Sequence, residues 1–286
     1  SDGSWKELKN QKNSAADNSP TASQMIRALG LAMASKKYRE LSGQIGENGF
    51  SNNGNEICFA TIGDASTSEG LFWEVVNAGG VLQVPLIISV WDDGYGISVP
   101  KEVQTTKGSI SQVLKGFQRT GNSNGYDIYV VKGWNYPQLV ATYKLAADKT
   151  RRTHIPAIVH VEELTQPQGH STSGSHERYK SADRLQWEKE HDCNVQFKRW
   201  ILQNKMATEE ELTEIENEAR KYVAEQKKVS WKKFHGPILE ELNEATAIIQ
   251  KVAEVSAYKE QLEEMEKELK YSIDPMRKDV FKTVSD

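Results

Sequence analysis

Two aspartates carry the chemistry this chain could do. Asp64 stands in Gly63-Asp64-Ala65-Ser66, and Asp93 follows 29 positions later in Asp92-Asp93-Gly94-Tyr95-Gly96. Each comes after an apolar run, Ile57–Ile62 and Pro85–Trp91, and a helix-like stretch, Glu69–Gln83, lies between them. The order is therefore strand, acidic turn, helix, strand, acidic turn. In a parallel α/β sheet both turns fall at the carboxyl edge, where ligands bind. Two carboxylates meeting there without obvious basic neighbours repel. A hard cation such as Mg²⁺, carrying a phosphate ligand, would relieve that repulsion. Ala65 and Ser66 have small side chains, so their N–H groups could approach a phosphate where the helix begins. Gly94 and Gly96 allow a bend that turns the Tyr95 carbonyl toward a cation. Taken singly, Asp64 is an ordinary helix cap and Asp93 an ordinary acidic turn. Their matched places at two strand ends make them a pair.

A second candidate is His170, set between Gly169 and Ser171. It follows an apolar strand, Pro156–Leu164, and so falls at the same edge, where an acid–base or phosphate-contacting role is open to it. Glu162 and Glu163 close that strand as bystanders. His176 lies six residues on, but no cysteine or carboxylate cluster accompanies it to complete a zinc site.

The elements that position these residues alternate. Residues 1–20 are polar and read as a loop. A helix over 22–41 carries Met25, Ala28, Leu29, Leu31, Ala32 and Ala34 at helical spacing, and residues 42–56 form a turn-rich connection. After the strand–helix–strand unit come a short helix Gly108–Phe117, a strand Tyr126–Val131, a long helix Tyr136–Thr150 and the strand Pro156–Leu164. This alternation predicts an α/β fold, a parallel sheet with helices on both faces. The polar loop Thr165–Ser181 is longer than an ordinary connection. Beyond it no strand is expected. Charged amphipathic helices cover 184–204, 208–231 and 238–271, with Gly236-Pro237 punctuating the last two and a helical extension assigned to 236–286. The first domain is accordingly set at 21–235.

Composition narrows the function classes. The chain has 286 residues, a net charge of −4 and a pI near 6.0, with no basic excess that would favour nucleic acid or an anionic membrane. No apolar run is long enough to span a bilayer. Cys58 and Cys193 are far apart and read as reduced residues of a cytoplasmic protein.

On these motifs the chain resembles the alpha portion of thiamine-diphosphate-dependent 2-oxo-acid dehydrogenases, the E1 component. The segments are Gly63-Asp64-Ala65-Ser66-Thr67-Ser68-Glu69-Gly70, Asn77, Pro85, Asp92-Asp93-Gly94-Tyr95-Gly96-Ile97-Ser98 and Gly169-His170-Ser171, with the helix Gln24–Lys37 upstream. The likeness covers roughly residues 20–235. It implies Mg²⁺ ligation by Asp64, Asp93 and the Tyr95 carbonyl. It implies cofactor contacts from Gly63, Asp64, Ala65, Ser66, Asn77, Ile97 and Ser171, and a catalytic His170. Three positions depart from the family pattern: Ala65 replaces the third glycine, Asp93 the usual asparagine, and Gln166 stands near the place of an arginine. The resemblance further implies a complementary beta half supplying the glutamate that activates the cofactor, a lipoyl-bearing E2 partner, and a dimer or heterotetramer. This chain would be inactive alone. A transketolase-like or phosphoketolase-like enzyme and a non-catalytic interaction module are the alternatives.

Overall fold

The computed structural model describes residues 20–46, 49–170 and 176–285. Its elements run α1 (Gln24–Glu40), α2 (Ser42–Ile45), β1 (Cys58–Gly63), α3 (Gly70–Leu82), β2 (Leu86–Trp91), β3 (Tyr95–Gly96), β4 (Val99–Pro100), α4 (Ile110–Val113), β5 (Asp127–Lys132), α5 (Tyr136–Thr153) and β6 (Ala157–Glu162). Helices follow: α6 (Ala182–Glu190), α7 (Cys193–Gln203), α8 (Glu209–Val255), α9 (Lys259–Lys270) and α10 (Arg277–Ser285).

Four strands form one parallel sheet in the order β1-β2-β6-β5. β2 is central, and its residues Leu86–Val90 are all buried, which is why it reads as an unbroken apolar run rather than an alternating one. Even-numbered side chains of the sheet, among them Ala60, Ile62, Leu86, Ile88 and Ile158, pack with Met25, Ala28 and Ala32 of α1 and with Phe72, Val75 and Val76 of α3. Odd-numbered ones, Ile87, Ala157, Val159 and Val161, pack on the other face with Ala146 and the partly buried Leu139 and Tyr143 of α5. Helices thus cover both faces, as the alternation predicts. α5 begins where sequence rules place it. Asn135 caps it by accepting from the Gln138 N–H, and Pro137 occupies its first turn.

Compactness divides the chain into Ser1–Asn204, which holds this sheet, and Lys205–Asp286, which is helical. Three expectations are corrected here. The helix expected over 184–204 is two, because His191 ends α6 and the Asp192 carboxylate caps α7. Gly236-Pro237 does not interrupt α8, whose 47 residues run through it. A proline in a helix removes one N–H and frees one carbonyl; here that carbonyl belongs to Lys233, an exposed residue that water can satisfy. The boundary expected at 235–236 therefore falls inside a helix. Finally, the run 238–271 contains the end of α8 and a separate α9, and α10 follows within the helical extension expected over 236–286.

Candidate functional site

The carboxyl edge of the sheet begins at Gly63. Asp64 extends the β1–β2 pairing by one bond, from its N–H to the Trp91 carbonyl (3.0 Å). The chain then enters a 3-10 turn, Ala65–Ser68, pinned when the Thr67 hydroxyl and N–H both donate to the Asp64 carbonyl. The side chain of Asp64 makes no capping hydrogen bond to that turn, which removes the simplest structural reason for an aspartate here. It is 5% exposed, and its Oδ2 is buried without a hydrogen-bond partner. Burial, then the charges of Asp92 and Asp93, push its pKa up to about 7, against the nearby Ala65 N–H. A buried carboxylate oxygen with no donor is the signature of a missing cation or proton.

The second acidic turn is built from two successive side-chain-to-backbone bonds. Asp92 Oδ1 accepts from the Gly94 N–H (2.8 Å), and Asp93 Oδ1 accepts from the Tyr95 N–H (3.1 Å). Gly94 takes φ +86, the left-handed region that a glycine enters without strain. β3 and β4 then close a short hairpin that the sequence pattern did not announce. Gly96 presses the hairpin onto the first turn: a Cβ there would overlap Gln104 Oε1 and stand 3.0 Å from the Ala65 Cβ. The two turns are therefore in direct contact.

Basic partners are present, contrary to the expectation from sequence. Asp92, 1% exposed, accepts from Lys101 Nζ (2.8 Å) and from His160 Nε2 (3.0 Å), with His160 fully buried in β6 and its Nδ1 2.9 Å from Ser111 Oγ. Burial works to raise the Asp92 pKa, but the bonds from His160 and Lys101 outweigh it and hold the carboxyl below its ordinary range. Asp92 is thus a structural anion and Asp93 the more available one. Burial raises the pKa of Asp93, against the Tyr95 N–H and the charge of Lys180. Arg184 of α6 donates from Nη2 to the Asp93 carbonyl (2.9 Å) and from Nε to Glu188 (2.9 Å). Glu188 is itself buried and held by Lys180 Nζ at 2.8 and 2.9 Å. Lys180 also lies over the Tyr95 ring, 5.1 Å from its centroid. The positive charge that Gln166 does not provide arrives from the start of α6, and the Gln166 carbonyl itself receives Lys180 Nζ at 3.5 Å.

Other expected residues are placed less tightly. Gly63 and Ser66 line a cleft of about 310 Å³ with Thr21, Gln24 and Trp91, at the low end of ligand-pocket volumes. Ala65 and Ser66 open the 3-10 turn directly after Asp64. Ile97 is exposed with φ +60. Asn77 is exposed on α3, seven residues past its start and so about 10 Å along the helix. His170 is exposed, and Ser171 lies outside the described residues. Glu162 and Glu163 are both paired with Lys132, and Glu163 also accepts from Trp134 Nε1 (2.9 Å), which accounts for them as structural residues.

His160 was missed by sequence reasoning. Its signal is visible in retrospect as the one ionisable residue inside the apolar run Ala157–Val161. Arg184 and Glu188 gave no signal, because they sit in a charged helical stretch and resemble their neighbours, and Lys180 gave none as one more polar residue at the end of the loop Thr165–Ser181.

Among the described residues no group of three His, Cys, Asp or Glu side chains is arranged to hold a metal. Asp64 and Asp93 supply two carboxylates, and any further ligands would have to be backbone carbonyl, water or phosphate oxygen. That donor set suits Mg²⁺, which keeps waters and shares phosphate oxygens rather than occupying an all-protein cage. The residues present fit a metal-diphosphate group.

Comparison with known proteins gives the same direction. The family model described as "Dehydrogenase E1 component" matches residues 2–238. The pyruvate dehydrogenase E1 component subunit alpha of Rickettsia felis is 28% identical over 179 residues, 63% of this chain and 52% of that protein. The mitochondrial 2-oxoisovalerate dehydrogenase subunit alpha 1 of Arabidopsis thaliana is 25% identical over 240 residues, 82% of this chain and 45% of that protein. The pyruvate dehydrogenase E1 component subunit alpha of Rhizobium meliloti is 29% identical over 171 residues, 59% and 46% respectively. The chain spans about half the length of the curated relatives it matches.

Proposed function

For a chain that belongs to the dehydrogenase E1 component family, we propose the role of the metal- and diphosphate-binding half of a thiamine-diphosphate-dependent 2-oxo-acid dehydrogenase. The observation that carries this reading is the buried, unpartnered Oδ2 of Asp64 beside the Asp93 turn. Asp64 and Asp93 bind Mg²⁺, with the Tyr95 carbonyl as a third ligand. The Ala65 and Ser66 N–H groups and the wall formed with Gly63 meet the diphosphate. Asp92, held by Lys101 and His160, keeps the turn in shape rather than binding the metal. Arg184 fixes the Asp93 carbonyl from outside. His170, carried at the same edge, serves the reacting end of the cofactor, and Ser171 belongs to that loop.

When bound, thiamine diphosphate supplies the electron sink for decarboxylating a 2-oxo acid. This half contributes the metal, the anchoring and the placement. A complementary beta half supplies the glutamate that activates the cofactor, and a lipoyl-bearing E2 accepts the acyl group. Turnover tests the assignment. The chain should show no decarboxylation of pyruvate, a branched-chain 2-oxo acid or 2-oxoglutarate by itself with cofactor and Mg²⁺. It should gain activity toward one of them when combined with its complementary half. Appreciable turnover by this chain alone overturns the division of labour.

A further inference from the structure

Helix α8 has two parts of different character. From His235 onward it buries His235, Ile238, Leu242, Ala245, Thr246, Ile249 and Ala253, with Leu242 and Ala245 sharing a core with Leu269 of α9 and Val280 of α10. His235 Nε2 also bonds the Pro275 carbonyl (2.8 Å), and Arg277 forms a two-pronged pair with Glu241. Over residues 209–234 the same helix is exposed at every position except Leu212 and Val229, which are half-buried. That arm is about 39 Å long at 1.5 Å per residue. Helices gain most of their stability in water from packing an apolar face, and among the described residues this arm buries no side chain fully.

Its sequence nevertheless has a seam. Leu212, Ile215, Ala219, Tyr222, Gln226 and Val229 follow one another at alternating steps of three and four, the spacing of a coiled-coil interface. Ile215 and Tyr222 are 60% and 66% exposed, and Val223 beside them is 65% exposed. The charges are sorted along the arm. Residues 209–218 hold six glutamates and no basic residue. Residues 219–233 hold Arg220, Lys221, Lys227, Lys228, Lys232 and Lys233 against one acid, Glu225.

We propose that this arm pairs with the same arm of a second copy of this chain, antiparallel, as a two-stranded coiled coil. The charge order selects both the partner and the direction. Antiparallel packing lays the glutamate half of each arm along the basic half of the other. Parallel packing would set glutamates against glutamates and lysines against lysines over the whole length. The antiparallel register that brings Leu212 opposite Val229 of the second copy also sets Ile215 against Gln226 and Ala219 against Tyr222. The small Ala219 thereby makes room for the Tyr222 ring. Gln226 at a seam position is the kind of polar residue that fixes register at some loss of stability. The association uses no residue of the acidic turns and does not depend on the metal site.

Sedimentation equilibrium of the full chain tests this. The 32.2 kDa chain should double in mass in the micromolar range. Raising NaCl from about 50 to about 500 mM should weaken the dimer about tenfold, since salt screens opposite charges. Ile215→Glu with Tyr222→Glu should leave a monomer of unchanged helical circular dichroism. Two charge-sorted variants give the decisive comparison. One carries Glu210→Lys, Glu211→Lys, Glu214→Lys and Glu218→Lys; the other carries Lys221→Glu, Lys227→Glu, Lys228→Glu and Lys232→Glu. Each alone should be monomeric, and an equimolar mixture should dimerise. A wild-type chain that stays monomeric to about 200 µM overturns the proposal. So does a dimer that tightens with salt, which marks parallel pairing. A dimer indifferent to the charge reversals places the contact on another surface and overturns it as well.

Discussion

The Arg184 guanidinium reaches the backbone of the second acidic turn, donating from Nη2 to the Asp93 carbonyl at 2.9 Å while its Nε holds Glu188 at the same distance. One planar group thus ties α6 to the turn that carries a proposed metal ligand. Arg184→Ala should loosen the Asp93 turn and lower Mg²⁺-dependent thiamine diphosphate affinity about tenfold, roughly 1.4 kcal/mol. Arg184→Lys should not restore it, because a single ammonium cannot serve the carbonyl and the carboxylate in the same fork geometry. Calorimetric titration of both variants, assembled with the complementary half, reads the difference. Equal affinity in wild type and Arg184→Ala removes the positioning role.

The buried network under the turn makes a stability prediction that needs no ligand. His160→Leu leaves Asp92 with Lys101 as its remaining side-chain partner and removes the ring nitrogen beside the Ser111 hydroxyl. Breaking one partner out of a buried ionic network costs about 3–5 kcal/mol. Asp92→Asn should be similarly severe, and the double variant should be less than additive because the two residues share one bond. Urea unfolding of the three variants measures this. Strict additivity would mean that the 3.0 Å contact carries no coupling.

Gly96 gives a steric test. Gly96→Ala must displace Gln104 Oε1 and crowd the Ala65 Cβ. Gln104 is a flexible side chain and can move, whereas Ala65 is fixed by the turn. The expected loss is about 1–3 kcal/mol of stability, with weaker metal binding because the two acidic turns are pushed apart. Unchanged thermal unfolding and metal affinity would show that the two turns are not held by this contact.

Asp64 predicts a pH dependence. Its folded pKa is raised to about 7 from the ordinary 3.8, so the folded state favours the protonated carboxyl. The resulting stabilisation is complete below the unfolded pKa and is lost as pH rises from about 4 to 7 in metal-free protein, on the order of 4 kcal/mol in all. Asp64→Asn should flatten that part of the curve and be more stable than wild type above pH 7. Mg²⁺ competes with the proton, so wild-type metal affinity should rise with pH toward 7. Parallel stability curves for wild type and Asp64→Asn between pH 4 and 8 would contradict the shift.

Much of this architecture was legible in residue order. The strand ends at Gly63 and Trp91 and the helices of the sheet domain follow from apolar runs and turn residues, because burial of one face imposes its own period. The pairing of Asp64 with Asp93 followed from their equivalent positions after parallel strands. What surrounds them did not, for a physical reason: Lys101, His160 and Arg184 arrive from a hairpin, a central strand and a distant helix, and such long-range pairing leaves no local pattern. The continuity of α8 through Pro237 escaped for the opposite reason. A local rule against proline was overridden by the buried stripe Ile238, Leu242, Ala245 and Ile249, which continues the helix beyond it.

The most direct test of the metal-diphosphate site is calorimetric titration of thiamine diphosphate, with and without Mg²⁺, into this chain assembled with its complementary half, comparing wild type with Asp93→Asn and Asp93→Ala. The wild type should bind cofactor only when Mg²⁺ is present. Asp93→Asn should bind both, since an amide oxygen can still ligate, and Asp93→Ala should lose metal and cofactor together. Normal binding of both by Asp93→Ala, or wild-type cofactor binding indifferent to Mg²⁺, would contradict the assignment of Asp64 and Asp93 as the metal ligands.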